Sequence, residues 1–190
     1  MTRKGPRETR VASDRMLIVL SGLSCTGKST LADAMEAVHR ACIVRARAVI
    51  HAHHGAQARG QLQTAGAELE AATGGAWLAT AVEALGEVEG PVVVDSARTR
   101  KQLIALREVS LRTVHVGLSA RLETRQMRFV ARNEATDVGL TFEAMVERDG
   151  ESENRALGDV ADLVIDTSDR DADQTLGLLS RYLAACSSSF

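Results

Sequence analysis

Aromatic residues make up only 3% of the 190 residues, and there are just two prolines and three cysteines. With so few rings the core must be aliphatic, drawn from the 45% of residues that are hydrophobic. Cys25, Cys42 and Cys186 are odd in number and lack the paired spacing of a metal site, which points to reduced thiols in a cytoplasm rather than a disulfide framework. No apolar run approaches the ~18 residues of a membrane span. The first apolar run reads as a strand and not as a secretory leader. GxGxxG is absent, which argues against a dinucleotide fold. Internal repeats and low-complexity segments are also missing, and the length suits one domain.

Charge is sparse in net terms, −2, but unevenly spread. Residues 1–15 carry Arg3, Lys4, Arg7, Arg10 and Arg15 against Glu8 and Asp14, so this stretch is +3 and the remainder −5. With Gly, Pro and no periodicity it reads as a disordered basic leader. A body of net negative charge gives nucleic-acid binding no general support. From Ala37 to Ala67 there is no acid at all, while Arg40, Arg45, Arg47 and Arg59 are present. That segment either sits at positive potential toward an anionic ligand or is an ordinary basic surface. His51, His53 and His54 lie in it without neighbouring Cys, Asp or Glu, so exposed histidines fit better than a metal site.

What the chain does have is Met16-Leu-Ile-Val-Leu-Ser-Gly-Leu-Ser-Cys-Thr-Gly-Lys-Ser-Thr-Leu31. An apolar run enters a loop bounded by Gly22 and Gly27, followed by Lys28 and Ser29 and then a helical pattern on Leu31, Ala34, Met35 and Val38. Strand, GxxxxGK[ST] loop and helix together are the phosphate-binding loop. Glycine lets backbone N–H groups turn inward and approach a polyphosphate closely, and the helix end adds unpaired donors and a positive dipole. Gly22, Ser24, Cys25, Thr26, Gly27, Lys28, Ser29 and Thr30 are therefore the candidate nucleotide-binding residues. Lys28 is placed on the β- and γ-phosphates and Ser29 on Mg²⁺. Cys25 is either an oxidation-sensitive thiol or simply a small loop side chain.

Further along, Ala41–Ile50 is β-branched enough for a second strand, and residues 52–87 read as helical with breaks near Gly60 and at Gly74-Gly75. Pro91-Val-Val-Val-Asp95 reads as a strand buried on both faces, with an acid at its carboxyl end where open α/β sheets bind ligands. Asp95 suits a magnesium-side role beside the phosphate loop; the alternative is a helix N-cap. A helix over 100–109 and a strand over 111–118 follow. Arg121, Arg125, Arg128 and Arg132 then fall within an arc of about 60° on one helix face. Four guanidinium groups on one stripe either face an anion, as phosphoryl transfer favours, or form a solvated basic face. A loop from Asn133 to Gly139, a short helix from Phe142 to Asp149, a fifth strand from Val160, a terminal helix and a frayed end at 187–190 complete the pattern. Alternating strands and helices predict an α/β domain built on a five-stranded parallel sheet.

On the phosphate loop, Val92–Arg98, the arginines at 125, 128 and 132, Glu147-Arg-Asp and Ala161–Ser168, the chain resembles the small P-loop nucleotide and metabolite kinases. It is most like dephospho-coenzyme A kinases and archaeal-type nucleotide kinase-like (AAA-type) proteins. The resemblance implies the P-loop NTPase fold over 16–186, with ATP and Mg²⁺ as cofactors. It also implies an acceptor-binding insertion over about 45–88 and a lid over about 121–150. It places Arg125, Arg128, Arg132 and Arg148 on the lid, Lys28 and Asp95 at the reaction centre, Arg98 at the acceptor with Arg45 and Arg47 nearby, and Thr167 and Ser168 near the adenine. The sequence departs from the pattern after the second strand, where Arg45–His51 stands in place of an acid.

The expectation is a kinase moving the γ-phosphoryl of ATP to a small anionic acceptor such as a nucleoside monophosphate. Two alternatives stay open. One is a regulatory nucleotide-binding protein without acceptor phosphorylation. The other is a kinase of nucleic-acid ends anchored by the basic leader.

Overall fold

The computed structural model describes residues 13–55, 59–132, 139–148 and 156–187. The basic leader, the loop after Arg132 and the tail after Ser187 lie largely outside the described residues. Five strands pair in parallel in the order β2-β3-β1-β4-β5. They are β1 (Ser13–Ser21), β2 (Cys42–Arg45), β3 (Val92–Asp95), β4 (Ser110–Ser119) and β5 (Leu163–Asp166).

Parallel pairing forces crossover helices onto both faces of the sheet. Leu17, Val19, Val92, Val94 and Val44 point to one face, under α2 (Ala46–His54), α3 (Arg59–Thr73), α4 (Trp77–Glu83) and α5 (Arg100–Val109). Ile18, Leu20, Val93, Val116, Leu118 and Ile165 point to the other, under α1 (Lys28–His39) and the C-terminal helix, here α8 (Ala172–Ser187). The period of two along β1 thus feeds two separate aliphatic cores, each buried side chain worth about 1.5–3 kcal/mol. Two further helices, α6 (Leu122–Arg132) and α7 (Phe142–Arg148), follow β4. No helix is long and apolar enough to cross a membrane among the described residues.

The expected elements are present, with shifted ends. The first strand starts at Ser13, so Arg15 belongs to the sheet rather than to the leader. The expected strand over Ala41–Ile50 is wrong beyond Arg45, because the chain turns directly into α2 at Ala46. There Ala46 and Ile50 are buried four residues apart while Arg47, Ala48 and His51 are exposed, a helical period and not an alternation. Gly60 lies inside α3, and the break falls earlier, at Gly55, whose φ of 63° caps α2. The fifth strand begins at Leu163 and not Val160, and α8 runs on to Ser187. The turn at Gly74-Gly75 and the limits of α5 lie where the sequence puts them.

Candidate active site

All five strands deliver their carboxyl ends to one edge, where the candidate residues gather. Gly22 leaves β1 with φ 132°, and a Cβ there would lie 2.2 Å from the Leu118 carbonyl oxygen of β4. No other residue type fits that crossing. Cys25 and Gly27 also take positive φ, 65° and 91°, curling the loop before α1 starts at Lys28. Thr26 is buried and its Oγ1 donates to the Leu23 carbonyl at 2.9 Å. Lys28 folds back over the loop, its Nζ donating to the carbonyls of Gly22 and Leu23, both at 2.8 Å.

Ser29 Oγ donates to Asp95 Oδ2 at 2.9 Å, joining the first turn of α1 to the end of β3. Asp95 is 7% exposed, and its other oxygen, Oδ1, is buried with no hydrogen-bond partner among the described residues. A buried carboxylate oxygen left open beside a serine hydroxyl and a glycine-bounded loop matches the sparse protein ligation that magnesium takes when phosphates and water supply the rest. Asp95 does not cap α5; Thr99 does, its side chain accepting from the Gln102 amide. Thr30 is exposed in the first turn of α1.

The arginine stripe is divided among protein partners. Arg125, only 3% exposed, donates from Nε to the Ser24 carbonyl at 2.9 Å and lies over the Phe142 ring at 5.7 Å. Arg128 donates to the Cys25 carbonyl (3.3 Å), to Thr167 Oγ1 (2.9 Å) and to the Thr167 carbonyl (2.6 Å). Thr167 is itself buried, with Oγ1 2.9 Å from the Thr26 carbonyl. Arg125, Arg128 and Thr167 thus brace the phosphate loop from outside. Arg132 turns away, stacking over Phe129 at 5.0 Å and reaching Met145 Sδ at 3.4 Å. Arg121 pairs with Asp169, and Ser168 donates to Asp166 Oδ1 at 2.6 Å while accepting from the Arg121 amide. The side chain of Arg148 lies outside the described residues.

On β2, Arg45 stands opposite Asp95 in the sheet register. Its Nη2 bonds Asp33 Oδ1 at 2.6 Å, and its Nη1 lies 3.7 Å from Asp95 Oδ2. The hydrogen bond to Asp33, opposed by partial burial and helped by the charges of Asp33, Asp95 and Glu36, raises its pKa further. Arg47 sits exposed on α2, and Arg98 is exposed in the loop after β3.

Beneath the loop, His115 is fully buried in β4, with Nε2 2.7 Å from Ser21 Oγ and Nδ1 3.3 Å from the Val160 carbonyl. The carbonyl can only accept, which places the proton on Nδ1 and leaves Nε2 to accept from Ser21. Burial lowers the pKa of this ring; the Val160 bond and Asp162 oppose the shift, and Arg107 adds to it. Sequence reading did not reach Asp33, His115 or Glu70. Asp33, one turn past Ser29 on α1, was the one with a local signal.

A family model described as an AAA domain matches residues 17–148. No curated protein sequence matches the chain as a relative. Among solved structures, a shikimate kinase from Bacteroides thetaiotaomicron is similar at a TM-score of 0.64 and 17% identity, over 89% of this chain and 98% of that one. A gluconokinase from Sinorhizobium meliloti 1021 gives 0.59 and 17%, over 93% and 98%. A sugar kinase from Janibacter sp. HTCC2649 gives 0.59 and 16%, over 90% and 95%. At these identities the likeness is one of fold.

Proposed function

Because the chain belongs to the AAA domain family and has the fold of small P-loop kinases, we propose that it is an ATP-dependent kinase. It transfers the γ-phosphoryl group to a small anionic acceptor, a nucleoside monophosphate or a related nucleotide metabolite. The observation that carries this is the Ser29–Asp95 pair at 2.9 Å, with the second Asp95 oxygen open beside the glycine-bounded loop.

Ser29 and Asp95 are the residues that would hold Mg²⁺, which when bound offsets charge on the donor phosphates. Lys28 exchanges its two loop carbonyls for phosphate oxygens. The backbone amides from Leu23 to Ser29 supply the remaining donors, and Gly22 and Gly27 set their direction. Arg125 and Arg128 keep the loop in shape and add positive potential where charge develops. Thr167 and Ser168 border the nucleotide side.

Arg98, exposed beyond β3, is the acceptor's cation, with exposed Arg47 adding to the field, while the charge of Arg45 is offset by Asp33, Glu36 and Asp95. Asp95 is engaged by Ser29, and a phosphate acceptor is already an oxyanion that needs no base to deprotonate it. Catalysis then rests on positioning and charge neutralisation.

The test is ADP release from ATP·Mg²⁺ with nucleoside and deoxynucleoside monophosphates, dephospho-coenzyme A, free nucleosides, shikimate and gluconate. Strong stimulation by a monophosphate is expected. Stimulation by shikimate or gluconate alone would keep the kinase and replace the acceptor class. A flat panel with tight ATP binding would sink the reading.

A further inference from the structure

Glu70, near the end of α3, collects three donors from two other elements. Its Oε1 accepts from Thr99 Oγ1 at 2.6 Å, and its Oε2 accepts from Gln102 Nε2 at 2.9 Å and from Trp77 Nε1 at 3.2 Å. Gln102, 4% exposed, passes the connection on, because its Oε1 accepts from the Arg98 backbone N–H at 2.8 Å. Thr99 meanwhile caps α5. The close approach is built in at Gly75, with φ 92°, where a Cβ would fall 2.6 Å from Lys101 Cβ.

We propose that Glu70 is a positioning residue, which fixes the Asp95–Thr99 loop and hence the direction of Arg98 by gripping Thr99 and Gln102 from the helical insertion. Its relevance to the reaction rests on the kinase reading above; its hold on the loop does not. A carboxylate suits the place because all its contacts are donors. An amide at the same position would turn its own N–H groups against one or two of them. None of the three donors lies on α3, so this partly buried carboxylate ties α3 to α4 and to the start of α5. Among the described residues the Asp95–Thr99 loop is held toward β1 by the Ala97 amide on the Leu20 carbonyl at 2.9 Å, and toward α5 by the Arg98 amide on Gln102 Oε1 and by the Thr99 cap. Glu70 governs the second.

The experiment is Glu70→Gln in the full chain, read in two independent ways. Hydrogen exchange of peptides covering residues 96–102 should speed up at least tenfold. Acceptor KM should rise about tenfold, while kcat and the KM for ATP stay within twofold, as expected when acceptor alignment alone is lost. Trp77 is the only tryptophan, so its emission reports directly whether the Glu70 contact has changed. Unaltered exchange in a folded variant with altered emission overturns the proposal whatever the activity. Faster exchange with an unmoved acceptor KM reduces Glu70 to a structural role and also overturns it. If no acceptor stimulates the wild type, the kinase reading fails and exchange alone decides whether Glu70 holds the loop. Should Glu70→Gln not fold, Glu70→Asp shortens the reach of the carboxylate to Thr99 and Gln102 while leaving the Thr99 cap of α5 in place, and the same exchange and KM readouts decide.

Discussion

Ser29 and Asp95 stand 66 residues apart in sequence and 2.9 Å apart in space, Oγ to Oδ2. The contact exists because β1 and β3 are neighbours in register, Leu20 beside Asp95, so the loop leaving one strand meets the carboxylate ending the other. Asp95→Asn keeps an acceptor for the serine and removes the negative charge. Its magnesium requirement should rise about 10- to 100-fold, by analogy with the cost of disturbing groups around a bound metal. Titrating Mg²⁺ against bound nucleotide by calorimetry gives this directly. Unchanged magnesium affinity would remove Asp95 from the metal side.

Lys28 and Arg98 should separate donor from acceptor. Lys28→Ala loses the only ammonium on the loop and is expected to lower turnover with every acceptor by about 100-fold or more. Arg98→Ala is expected to raise acceptor KM about tenfold with little effect on the KM for ATP, since its side chain lies exposed past β3. Initial rates with each substrate varied in turn distinguish the two. Wild-type turnover in Lys28→Ala would refute the phosphate-loop assignment.

Arg128 and Arg132 lie one turn apart on α6 yet should behave differently. Arg128 spans the phosphate loop and Thr167 through three hydrogen bonds, while Arg132 packs on Phe129 and Met145. Charge-assisted bonds of this kind contribute about 1.5–3 kcal/mol each at most, so Arg128→Met should raise the KM for ATP by about tenfold. Arg132→Met should lower thermal stability and leave that KM within twofold. Equal effects on ATP would mean that the stripe acts as one lid rather than as a brace and a packing residue.

The phosphate loop and Val92–Asp95 are legible in the sequence because each is a local pattern: glycines at fixed spacing, or a valine run ending in an acid. The β2–α2 junction is not. Arg45-Ala-Arg-Ala alternates like a strand, but its alanines equally favour a helix, and the choice falls to whether Ile50 reaches the core. Arg45 reads as a free cation in sequence, whereas Asp33 and Glu36 come to it from α1, 12 and 9 residues earlier. Glu70 gives no signal at all, since two of its three partners lie 29 and 32 residues downstream and meet it only because α3 and α5 both pack on α4. The stripe on α6 is visible as spacing, yet Arg125 and Arg128 reach the loop through the main-chain carbonyls of Ser24 and Cys25, which carry no sequence signature.

His115 makes stability depend on pH just below neutrality. Burial holds its pKa below the ordinary 6.5, so between the folded and unfolded values the unfolded chain binds the extra proton. Stability from keeping the ring neutral is therefore fully present above about 6.5 and declines as pH falls toward the folded value. Protonation would also place an N–H on Nε2, where Ser21 Oγ now donates, and Ser21 directly precedes Gly22. Loosening should begin at the base of the phosphate loop. Urea midpoints for the wild type should stay nearly level between pH 7.5 and 6.5 and fall at 5.5 and 5.0, whereas His115→Asn, less stable throughout, should show a flatter profile below 6.5, a range above the usual carboxylate titrations. A His115→Asn profile as steep as the wild type would assign the acid sensitivity to other groups and leave His115 as a packing residue alone.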